Sequence, residues 1–203
     1  MNKRANCPHC EYILARCLCH TLKSINNKTT IIVLQHPSET KHALNTVQLM
    51  KKSFQNIVIF TGEDFSEHTV LNKLLLDHQK EIALVFPTTT STTLTNQNKQ
   101  ISHLIFIDGT WKKARKIFLL SKNLHQLQTY SLTPDKPGQY LIRSSSIDNS
   151  LSTLEACLLS LSLVEKDLDT KSLTNSFNKM IEFQIEKMGE EKFNKNYLKK
   201  GND

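Results

Sequence analysis

From Thr30 onward the chain alternates short runs of β-branched and large apolar residues with stretches whose apolar residues recur at helical spacing. The first run spans residues 30–35; His36, Pro37 and Ser38 interrupt it, and residues 40–52 then place Ala43, Val47 and Met50 at helical intervals. The same unit returns with a strand over 57–60 and a helix over 67–78, a strand over 82–86, and a strand over 104–107 followed by a helix over 111–120. Parallel strands need crossover connections, and helices are the usual crossovers. The alternation therefore predicts an α/β fold: a mainly parallel sheet with helices on both faces. Ligands of such sheets bind beyond the carboxyl ends of the strands. That rule marks the loops at residues 36–39, 87–100 and 108–111. The middle loop is Thr-rich and long. Residues 129–146 read as an extended run, residues 151–164 as an apolar helix, and about 172–188 as a helical cap at the periphery.

Four of the five cysteines, Cys7, Cys10, Cys17 and Cys19, fall within residues 7–19. No run nears the roughly 20 apolar residues that span a bilayer, and the first residues lack the apolar core of a signal peptide. The expectation is a cytoplasmic protein with no membrane contact. In that reducing compartment clustered thiols point to a metal rather than to disulfides. Two close pairs of thiolates supply a tetrahedral zinc shell, and four of them close it, so the zinc is expected to be structural. His9 and His20 are left out of the shell, and Cys157 reads as a small core residue on an apolar helix face. Residues 1–25 are expected to form the zinc-binding knuckle, and residues 26–203 the α/β domain with its C-terminal helical cap.

The 26 Lys and Arg against 19 Asp and Glu leave a net charge of +7. Such a charge suits a polyanionic partner, nucleic acid first, although it also serves solubility alone.

The chain resembles the DTW-domain family, the tRNA-uridine aminocarboxypropyltransferases related to SPOUT-like enzymes. The runs that carry the resemblance are the four cysteines, HPSETKHALNT at 36–46, VFP at 85–87, IDGTWKKARK at 107–116, YLIR at 140–143 and LSTLEA at 151–156. Each is weak alone, but together they occur in the family's order over about three quarters of the chain. The resemblance implies a knotted SPOUT-like fold. It also implies a reaction in which S-adenosylmethionine gives its 3-amino-3-carboxypropyl group to the ring imide nitrogen of a uridine in tRNA, leaving methylthioadenosine. A SPOUT-like RNA methyltransferase and a non-catalytic, zinc-stabilised RNA-binding module are the alternatives.

That chemistry needs a base for the imide proton and a pocket that turns the donor's γ-carbon toward the nucleophile. Asp108, ending a strand, suits the base; it also suits a helix N-cap, as does Thr110. Trp111, the single tryptophan, suits a wall of the donor pocket or a core position. Asp108 and Trp111 are expected to line one cavity. Gly109 permits close backbone approach or positive φ. The donor site is expected to include Gly109, Thr110, Trp111, Pro87, Arg143, Ser152, Thr153 and Glu155. Ser152, Thr153 and Glu155 fit helix capping equally well. Arg143 offers a planar fork for a carboxylate or phosphate. His36, Glu39 and Arg115 are expected on the tRNA side.

Overall fold

A computed structural model describes residues 5–41, 45–133 and 151–189. Six strands, β1 (Thr30–Gln35), β2 (Ile57–Thr61), β3 (Ile82–Val85), β4 (Thr92–Thr93), β5 (His103–Asp108) and β6 (Thr129–Ser131), form one sheet in the order β2-β1-β5-β3-β6-β4. Every pairing in it is parallel. The helices are α1 (Thr46–Ser53), α2 (Thr69–Asp77), α3 (Trp111–Leu120), α4 (Thr153–Val164) and α5 (Lys171–Met188).

Side-chain alternation along the central strands divides the core in two. Ile31, Val33, Leu104 and Phe106 face α1, α4 and α5, where Leu49, Met50, Leu154, Leu161, Phe177 and Met180 cover them. Ile32, Leu34 and Ile105 face the other way, onto Leu71 and Leu75 of α2 and Ala114 and Ile117 of α3. Both faces of β1 and β5 are thus buried, which explains why these strands read as unbroken apolar runs rather than alternating ones. The C-terminal helix α5 sinks Leu173, Phe177, Met180 and Ile181 into the first of these two cores.

Local chemistry moves some element boundaries. The first helix was expected from residue 40. Instead Pro37–Glu39 forms a 3-10 turn, capped by His36, whose side chain accepts from the Ser38 N–H, and α1 begins at Thr46. The long Thr-rich loop contributes the short edge strand β4 against β6. The expected extended run is represented by β6 among the described residues; residues 134–150, with Tyr140 and Arg143, lie outside them.

No helix among the described residues is long and apolar enough to cross a membrane.

Candidate active site

β1 and β5 lie in register, with Gln35 opposite Asp108 at the carboxyl ends of both strands. In-register neighbours on parallel strands point to the same face, here the face that α4 covers. Asp108 is 3% exposed, and both its carboxylate oxygens have donors: Gln35 Nε2 to Oδ2 at 2.9 Å, and Thr153 Oγ1 to Oδ1 at 2.6 Å. Gln35 also donates to Asn45 Oδ1 at 3.2 Å, one residue before α1.

Thr153 opens α4, and a capping box holds that end in place. The Glu155 N–H donates to Ser152 Oγ at 3.2 Å, and the Ser152 N–H donates back to Glu155 Oε2 at 2.8 Å. Leu154, Cys157 and Leu161 are fully buried beneath the helix. Burial of an aliphatic side chain of this size contributes roughly 1.5–3 kcal/mol, ample to keep the positive end of α4 against the carboxylate.

On the other face, Thr110 rather than Asp108 caps α3, accepting from the Lys113 N–H. Gly109 is needed for close approach: a Cβ there would lie 3.1 Å from the Lys113 Cβ and 3.6 Å from the His36 Cβ. Trp111 is 36% exposed, its ring 6.2 Å from that of Phe86, next to Pro87. Asp108 and Trp111 are therefore not set against each other. The carboxylate turns toward α4 and the indole lies on the α3 side, with the end of β5 between them. Arg115 is exposed one helical turn beyond Trp111.

His36 and Glu39 are engaged by the surrounding loops. The Ser38 N–H donates to His36 Nδ1 at 3.2 Å, and His36 Nε2 meets Glu63 at 2.7 Å. Lys116, with His36 adding to it, holds the Glu63 carboxyl below its usual range. Glu39 is buried and accepts from Lys113 Nζ at 2.8 Å.

At the N-terminus the sulfurs of Cys7, Cys10, Cys17 and Cys19 all lie within 4.8 Å of one another. The pairs Cys7–Cys19, Cys7–Cys17 and Cys10–Cys17 stand at 3.6, 3.6 and 3.8 Å. A tetrahedron with Zn–S bonds of about 2.3 Å has edges of about 3.8 Å, so the four sulfurs fit a zinc ion. Glu11, at φ 64°, turns the chain tightly after Cys10. The Cys10 and His9 N–H groups hold the Cys7 thiol down at about 6, whereas Cys19, crowded by Cys17 and Cys7, is pushed up to about 12. All four can be thiolates together only around a cation, and the cluster could hold one. Outside the cluster, Tyr12 Oη donates to the Asn45 carbonyl and approaches Met180 Sδ, and Arg16 donates to the Phe183 carbonyl. The knuckle, α1 and α5 together border a cleft of about 310 Å³.

Residues 4–185 match the DTW domain. The chain belongs to the DTW-domain family. It is 27% identical over 216 residues to tRNA-uridine aminocarboxypropyltransferase 2 of Drosophila melanogaster, covering 99% of this chain and 83% of that protein. It is 26% identical over 205 residues to the Mus musculus protein of the same name, covering 97% and 69%. A 58-residue stretch is 43% identical to tRNA-uridine aminocarboxypropyltransferase A of Arabidopsis thaliana, covering 28% of this chain and 22% of that one. No solved structure matches the chain.

Sequence reasoning missed Gln35, the amide that fixes the carboxylate. Its signal was present: a polar residue ending a buried strand whose neighbour ends in an acid.

Proposed function

We propose that this DTW-family chain transfers the 3-amino-3-carboxypropyl group of S-adenosylmethionine to the ring imide nitrogen of a uridine in tRNA. The reading rests on similarity along 97–99% of this chain to proteins named tRNA-uridine aminocarboxypropyltransferase 2. The observation that carries it to particular atoms is a buried carboxylate, Asp108, held by Gln35 and Thr153 at the ligand-binding rim of a parallel sheet.

The bond that forms joins the uracil N3 to the donor's γ-carbon. The bond that breaks is the one between that carbon and the sulfonium sulfur, whose electron pair leaves with neutral methylthioadenosine. The sulfonium is already a good leaving group, so the chain must supply orientation and a place for the N3 proton. Asp108 takes that proton: among the described residues Gln35 donates to one of its oxygens and Thr153 to the other, which leaves each a further lone pair. Thr153 and Gln35 fix the carboxylate's plane, and the start of α4 adds positive potential beside it.

A donor lying across the strand ends would have Pro87, Gly109, Thr110 and Trp111 on the α3 side and Ser152, Thr153 and Glu155 on the α4 side. Arg143, in the connection between β6 and α4, would hold its carboxylate. His36, Glu39 and the exposed Arg115 belong to the tRNA side. Zinc in the four-cysteine knuckle is structural, since its shell has no open position for substrate.

Incubating the protein with unmodified tRNA and S-adenosylmethionine, then weighing the digested nucleosides, tests the reading. A uridine heavier by the aminocarboxypropyl group, with methylthioadenosine released, supports it. A methylated nucleoside with S-adenosylhomocysteine, or tRNA bound and left unchanged, overturns it.

A further inference from the structure

At the opposite rim of the sheet, where β3 and β5 begin, His78, Glu81 and His103 converge. We propose that these three residues form a second metal site, for a divalent transition ion, separate from the four-cysteine knuckle. One ring nitrogen from each histidine and a carboxylate oxygen of Glu81 lie within 4.8 Å of one another. Ligand atoms around a tetrahedral ion with bonds of about 2.0–2.1 Å stand about 3.3 Å apart, so closing the site takes a contraction of up to about 1.5 Å. His78 and Glu81 can make it, because their side chains are 37% and 52% exposed and His78 Nδ1 already stands 3.8 Å from Glu81 Oε2.

The backbone preorganises the three. The Glu81 N–H donates to the His78 carbonyl at 2.8 Å, and the Glu81 carbonyl accepts from the N–H groups of Ser102 and His103 at 3.0 and 3.1 Å. His103 is buried at the first position of β5, paired with Ile82 of β3 on one side and Thr30 of β1 on the other. The Ser102 hydroxyl stands 2.6 Å from Glu81 Oε2 and 2.8 Å from His103 Nδ1. It thereby sets the orientation of both side chains, as outer-shell groups around bound metals do. The two imidazoles are stacked, with centroids 4.0 Å apart and planes tilted by 28°; because imidazole lone pairs lie in the ring plane, the half-exposed His78 ring must turn out of the stack to share an ion with His103.

Two imidazoles and one carboxylate select zinc, nickel or copper(II) over calcium or magnesium, which take all-oxygen shells. An ion there would clip the end of α2 and the start of β3 to the start of β5. Because only the folded chain assembles the three ligands, binding raises the melting temperature.

The test is calorimetric titration of Ni²⁺ into the full-length, tag-free protein already loaded with one equivalent of zinc. One further equivalent should bind saturably and raise the melting temperature. Both effects should weaken by more than about tenfold in affinity in His78→Ala, in His78→Gln and in Glu81→Gln. These surface substitutions should leave the nickel-free melting temperature and the zinc content at parental values. No saturable binding by the parent overturns the proposal, as does binding that persists undiminished in any one of the three variants. Neither result bears on the transfer reaction, which uses the other end of the sheet.

Discussion

Gln35 and Asp108 stand opposite each other on neighbouring parallel strands, and the amide of the first donates to the carboxylate of the second at 2.9 Å. Strand register, not loop conformation, therefore positions the acid. A group that must meet a reacting atom within a few tenths of an ångström is better carried on a sheet than on a loop.

Asp108→Asn should lower turnover by about 10²–10⁴-fold, the usual span for a general base, while leaving donor affinity nearly unchanged. Thr153→Val, which keeps the shape and removes one donor, should lower turnover less and cost about 1–2 kcal/mol of stability. Steady-state kinetics with urea melts check both. Parental turnover in Asp108→Asn would rule out the base assignment.

Trp111 is half out of the core, so Trp111→Ala should change stability by less than about 1 kcal/mol and weaken donor binding. Calorimetry with S-adenosylmethionine decides the matter: unchanged affinity with a large loss of stability would make the ring a packing partner of Phe86 and nothing more.

Zinc analysis of Cys10→Ser should show the metal lost. Tyr12 and Leu18 of the knuckle pack on α1 and α5, so the melting temperature should fall and the end of α5 should become accessible to protease while the sheet core stays folded. Stoichiometric zinc in this variant would refute the ligand set.

The Ser152–Glu155 capping box separates a structural role from a binding one. Ser152→Ala should cost about 1 kcal/mol. Glu155→Gln retains the box and should be nearly neutral in stability. A large rise in the donor's KM in Glu155→Gln would show that its carboxylate also touches the donor.

Cys157 is fully buried, and burial pushes its thiol well above the ordinary 9.0. The unfolded chain releases this proton as pH rises past about 9, while the folded chain keeps it. The group's contribution is therefore complete below that pH and declines above it, by up to about 1.4 kcal/mol per pH unit. Urea melts between pH 8 and 10.5 should show a shallower decline in Cys157→Ala than in the parent; equal slopes would assign the decline to other groups.

The α/β alternation was legible because β1 and β5 are buried on both faces and α3 has a clean stripe ending in Ala114 and Ile117. The start of α1 was not, since His36 and Pro37 build a 3-10 turn from residues whose spacing also suits a helix. Strand β4 escaped notice because two threonines at a sheet edge carry no periodic signal. In the candidate site, Asp108 and the Ser152–Glu155 box stood out as local motifs. Gln35 did not: its meaning comes from a strand that lies 73 residues away along the chain.

The contact between Tyr12 and Met180 joins residues 168 positions apart. The four thiols precede α5 in the chain, so during synthesis the knuckle emerges before the helix on which it docks. A metal bound to the cluster at that stage would sit in a knuckle still undocked, and the turn of α5 that carries Met180 supplies its seat.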